Sequence, residues 1–176
     1  MFIENMTFLR LIPILFIFFG GFSYKNLVHA GTETPNDYKV LSTNNKKFSI
    51  ANVVYYLSRG DESIKNGAFD KAKDSYLSAR KLATKLASFY SDLNTAFIGV
   101  DARIPNEMRK KGKATLAILA KSNSRLAALH IRDDKPELAV PLLIENIRIM
   151  SPKSPEGREA YALLKQLGFV ETSYKG

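Results

Sequence analysis

From Ala72 onward, apolar residues recur at Tyr76, Ala79, Leu82, Ala83, Leu86, Phe89, Leu93 and Phe97, in steps of three and four. Positions so spaced lie on one stripe of an α-helix, so the pattern predicts a long helix from near Phe69 or Asp70 to about Gly99. Ser91, Asn94 and Gly99 are the places where it could break. A shorter helix precedes it. Ser49 can accept from the free amides of its first turn, Phe48 can pack on Val53 as a hydrophobic staple, and Gly67 supplies the left-handed residue just beyond its end near Asn66.

Ile104-Pro105-Asn106 opens a third helix, because proline is tolerated in a first turn but disfavours helical geometry in the residue before it. Its apolar positions Leu116, Leu119, Leu126 and Leu129 carry it to Arg132. The charged turn Asp133-Asp134-Lys135-Pro136 leads into a fourth helix of Leu138, Ala139, Leu142, Leu143, Ile147 and Ile149, with Pro141 close enough to its start to be tolerated. Ser154-Pro155-Glu156 is a start signal for a fifth, which closes at Leu167-Gly168. The expectation is an all-α fold of about five helices over residues 48–168. The tail, residues 169–176, has too little apolar content to pack firmly.

The amino terminus follows another logic. Arg10 precedes an apolar run from Leu11 to Phe22, and Val28-His29-Ala30 then offers small or apolar residues before a cleavage point. These are the three parts of a secretory signal peptide, residues 1–30, whose removal leaves Gly31 first. The apolar run spans only about 18 Å as a helix, so an uncleaved anchor would have to stretch from Thr7 to Val28 with Arg10 and Lys25 snorkelling. Either way the folded part lies across a membrane. Residues 31–47, rich in Thr, Asn, Lys and Pro, read as a flexible leader.

Tyr56, Gly60, Gly67, Phe69, Ala72, Tyr76 and Ala79 resemble the signature positions of the tetratricopeptide repeat, in which small residues let two antiparallel helices approach and aromatics fill the space between them. Arg59 and Ser63 depart from it. A second, weaker copy runs from Ala120 through Leu126, Ala127, His130, Ala139 and Leu143 to Pro152, with Asn123 and Asn146 departing. Ala139 falls about two 34-residue repeats beyond Ala72. Between the copies, Pro105 stands where a small residue belongs, which reads as an insertion that lengthens two helices. The last helix resembles the solvating helix that closes such arrays.

The resemblance implies a concave groove for a peptide or helix of another protein. Its lining would be Val54, Leu57, Asp61, Ile64 and Lys65 from the first copy and Lys121, Ser124, Arg125, Ala128, Ile131 and Arg132 from the second. Chaperone-binding members grip a terminal carboxylate with paired lysines and asparagines. Only Arg125 and Lys121 could serve here, so a co-chaperone role is disfavoured. The stretch Arg103 to Lys113 is similar to one in repeat-type proteins of oxygenic phototrophs, which implies a thylakoid lumen; a periplasm is the other exported compartment.

Chemistry is sparse. The chain has no cysteine and two histidines, so thiol chemistry and ordinary zinc sites are excluded. His130 takes a core or capping position, and Asp133-Asp134 serves a helix end. No phosphate-cradling loop or nucleophile elbow is present, so no enzyme activity and no cofactor is expected. The net charge of +9 includes a cluster of Arg103, Arg109, Lys110, Lys111 and Lys113. As an alternative to the groove, that cluster can bind anionic lipid head groups or an acidic subunit, since clustered cations gain from a negative surface. Nucleic acid is disfavoured, because no aromatic-rich basic face accompanies the cluster.

Overall fold

The computed structural model describes residues 47–175. The expected signal or anchor and nearly all of the leader lie outside the described residues. Among those described there are five helices and no strand: α1 Ile50–Lys65, α2 Phe69–Ala96, α3 Arg103–Arg132, α4 Pro136–Met150 and α5 Pro155–Gln166. Each packs on its neighbours in the chain, and α1 also meets α3, so successive hairpins lie side by side. None of these helices is long and apolar enough to cross a membrane.

The helix ends follow from their terminal residues. Ser49 Oγ accepts from Asn52 N at 3.2 Å, and Ser154 Oγ accepts from Gly157 N at 3.0 Å, each satisfying an amide that has no partner within the helix. Gly67 takes the left-handed conformation (φ 68°) that turns the chain from α1 into α2. Phe48, just before the cap, has its ring edge to face with Phe89 of α2 at 5.7 Å. α2 runs unbroken past Ser91 and Asn94. α3 starts at Arg103, with Pro105 buried in its first turn and the Asp101 carboxylate accepting from Arg103 N at 2.9 Å. Pro141 and Glu137, whose carbonyl the proline leaves without a helical donor, are both exposed residues.

The core depends on small residues. Ala72, Ala79, Ala83, Ala127 and Ala139 are fully buried beside Leu86, Leu126 and Leu143. Gly60 lies directly under the Tyr76 ring, where an added Cβ would sit 2.2 Å from Cε1. α1 and α2 therefore approach more closely at this point than any side chain at residue 60 would permit. α2 and α3, with 28 and 30 residues, are about twice as long as α1 and α4, with 16 and 15. Their distal halves form a two-helix arm, packed around Leu86, Tyr90, Pro105 and Met108.

Asn123 and Asn146, the two departures from the repeat pattern, are fully buried. Asn123 Nδ2 donates to Asn146 Oδ1 at 3.0 Å, and Asn146 Nδ2 donates to the Ala120 carbonyl at 3.0 Å and to Ser124 Oγ at 2.9 Å. Arg80 Nε of α2 donates to Asn123 Oδ1 at 2.8 Å, and its Nη2 pairs with Glu145 at 2.7 Å. Three helices are thereby joined by a network in which both buried amides are satisfied. The tail also packs more firmly than its composition suggests. Val170 joins the core, and Tyr161 Oη of α5 donates to the Thr172 carbonyl at 2.7 Å.

Two stability measurements check this account. Gly60→Ala should destabilise by about 1–3 kcal/mol in urea unfolding, although alanine is the better helix former, because the Tyr76 ring has to move. Asn146→Ala should cost about 3 kcal/mol by leaving Asn123 and its neighbours short of partners, whereas the double change Asn123→Leu with Asn146→Leu should cost less than the single one.

Candidate functional site

On α1, residues 54, 61 and 65 are spaced by seven and four; on α3, residues 121, 125, 128 and 132 are spaced by four, three and four. At about 100° per residue, each set forms one narrow stripe along its helix. The stripes meet at an ion pair. Arg125 Nε donates to Asp61 Oδ1 at 2.5 Å and Nη2 to Oδ2 at 2.6 Å, a two-pronged contact that fixes both side chains. Tyr76 Oη donates to the same Asp61 Oδ1 at 2.7 Å, and the Arg125 guanidinium lies 5.9 Å from the Tyr76 ring centroid.

The electrostatics follow from this geometry. Burial opposes the charge on Asp61, but the hydrogen bonds from Arg125 and Tyr76 and the nearby charges of Arg125 and Lys121 outweigh it, so the carboxyl titrates below its ordinary value. Burial together with donation to Asp61 pushes the Tyr76 hydroxyl well above its ordinary value, which keeps it a neutral donor. Burial works against the Arg125 charge, and the bonds to Asp61 more than restore it.

Of the residues expected to line a groove, Val54, Lys65, Lys121, Ala128 and Arg132 are exposed on this face, and Asp61 and Arg125 hold its centre. Arg132 also lies over the Phe69 ring, 3.2 Å from its centroid, and pairs with Asp133 at 2.8 Å. Leu57 is a correction: at 5% exposure it belongs to the core, since it stands about a sixth of a turn off the stripe. Ile64 and Ile131 are half-buried against the core, and Ser124 is engaged by Asn146.

The basic cluster lies elsewhere, on the distal half of α3. Arg103 pairs with Asp101 at 2.8 Å, Lys111 with Glu107 at 2.5 Å, and Arg109 bonds to Asn106. Lys110 and Lys113 are exposed. The structure therefore offers two separate surfaces. His130 is half-buried in the last turn of α3, with burial first and the charge of Lys73 next lowering its pKa, and Asp134 (φ 56°) forms the following turn. Two features had no signal in the periodicity: the lysines Lys47, Lys81 and Lys85 around an open cleft beside Tyr56, and the exposed aliphatic side chains between α2 and α3.

Comparison with protein-family models, with curated proteins and with solved structures found no match in any of the three. The function is accordingly argued from the geometry.

A carboxylate with a depressed folded pKa adds stability above its ordinary value of 3.8, and that contribution is lost as pH falls through the folded value. Asp61→Asn should lower stability at neutral pH by about 1 kcal/mol, the pair being partly solvent-screened, and should flatten the acid side of the stability curve below that ordinary value. Urea midpoints measured across the acid range check both effects.

Proposed function

We propose that this protein is a non-enzymatic docking protein of the tetratricopeptide type, which holds a peptide or helix of a membrane-associated partner on the face shared by α1 and α3. One observation carries the reading. The first helices of two successive hairpins present matched stripes, Val54, Asp61 and Lys65 beside Lys121, Arg125, Ala128 and Arg132, and the Asp61–Arg125 pair sets their register. The burial of Gly60, Ala72, Tyr76 and Ala79, at the positions the repeat signature requires to be close-packed, supports it further.

The chemistry of the face describes its occupant. Around Asp61, which Arg125 already holds, the face carries Lys65, Lys121 and Arg132, the last paired with Asp133 at its edge. Val54 and Ala128 add small apolar contacts between the charges. A segment with acidic side chains interleaved with short apolar ones complements this pattern, with the charges setting orientation and association rate. The signal-like amino terminus supports a location across a membrane, in a periplasm or thylakoid lumen.

Photocrosslinking residues placed at Val54 and Ala128, with Leu77 on α2 and Ile144 on α4 as exposed controls, test the assignment in producing cells. The expected result is one discrete adduct shared by the first two positions and missing from the controls. Equal adducts at all four positions, or none at Val54 and Ala128, would discard the docking face.

A further inference from the structure

The α2–α3 arm ends in the turn 97–102, where the two most exposed large apolar side chains of the described residues stand together: Ile98 at 65% and Val100 at 76%. Gly99 between them adopts φ 82°, the left-handed geometry that brings the chain around sharply. The core of the arm lies behind this tip, so neither aliphatic contributes to it. Two adjacent aliphatics at the end of a rigid projection have no folding role, and such patches mark interaction sites.

The adjoining surface is cationic. On α3, Pro105, Met108 and Thr115 face the core, and at about 100° per residue Arg103, Lys110 and Lys113 fall on the far side, with Arg109 on the flank between. The Arg103 side chain is almost wholly exposed. Asp101 and Glu107 pair with Arg103 and Lys111, and among the described residues Lys110 and Lys113 have no carboxylate within ion-pair distance. From Arg103 to Lys110 the rise along the helix is about 10 Å, comparable to the depth over which a charged surface is felt at physiological salt.

We propose that this tip is a docking site for an anionic bilayer surface, with Ile98 and Val100 entering the interface and Arg103 and Lys110 meeting the head groups. A purely acidic polypeptide would satisfy the cations and leave the aliphatics in water, whereas an uncharged apolar partner would do the reverse. The boundary of an anionic membrane provides both environments in the order in which the tip presents them. This site is independent of the α1–α3 face.

The chain contains no tryptophan, so Ile98→Trp in the full chain gives a single fluorophore at the tip, and Ile144→Trp gives a control on α4. On vesicles containing phosphatidylglycerol, the tip fluorophore should shift to the blue, with no such shift on phosphatidylcholine alone and none at the control position. In the same background, Arg103→Gln with Lys110→Gln should weaken the titration about 25-fold, at about fivefold per cation, and Val100→Ser by about tenfold. The proposal is overturned if tip emission stays constant while the chain co-sediments with the vesicles, which would place adsorption elsewhere. An equal shift on uncharged vesicles also overturns it, as does an equal shift with soluble polyglutamate, which would assign the tip to an acidic polypeptide.

Discussion

The fold depends on one aromatic ring. Tyr76, nearly inaccessible to solvent, occupies the space that a side chain at residue 60 would need, and this sets how closely α1 and α2 can approach. Its hydroxyl extends past that contact to Asp61, which is gripped from the next hairpin by Arg125. A single residue thus couples packing within the first hairpin to the placement of the second. The coupling is directional, because the raised Tyr76 pKa and the lowered Asp61 pKa fix donor and acceptor over the ordinary pH range.

The second hairpin is positioned by polar groups. Burying two asparagine side chains is unfavourable unless both amides are fully partnered, and here Arg80, Glu145, Ser124 and the Ala120 carbonyl complete the set. An apolar core tolerates small slippage between helices, since its attraction has little direction. A satisfied amide network does not, because a shift of one residue would orphan several donors together. The arrangement that holds the α1 and α3 stripes in register therefore has two locks, one at Asp61 and one at Asn123.

The helices were legible in the amino-acid order because their signals are local. Ser49, Gly67, Ser154 and Pro155 act through the first or last turn of their own helix, and the step of three and four that marked α2 survives in its burial pattern. Signals that need a partner from another helix were not legible. Asn123 and Asn146 looked like departures from a pattern, and only their mutual contact gives them a role. The ring contact of Phe48 with Phe89 arises only once α2 folds back. Leu57 was assigned to the open face because a repeat register resolves a helix into faces too coarsely to separate a stripe from its edge. The exposed tip leaves no mark in the amino-acid order for a related reason, since Ile98 and Val100 lie in a turn and belong to no periodic set.

Length along α3 links the two surfaces. Arg103 and Arg125 are separated by about 33 Å of helix at 1.5 Å per residue. Along the distal part of that distance α3 packs on α2, with Leu86, Tyr90, Met108 and Leu119 buried or half-buried and Gly112 lying close to the Tyr90 side chain. Two helices packed along their length bend far less than a flexible linker would, so a partner seated on α1 and α3 would be held at a set distance from a surface met by the tip. The shared length of α2 and α3 then has a physical role. Each remains buried against the other, and the cations of Arg103 to Lys113 are set apart from the face proposed for docking, where they would otherwise compete for the same acidic groups.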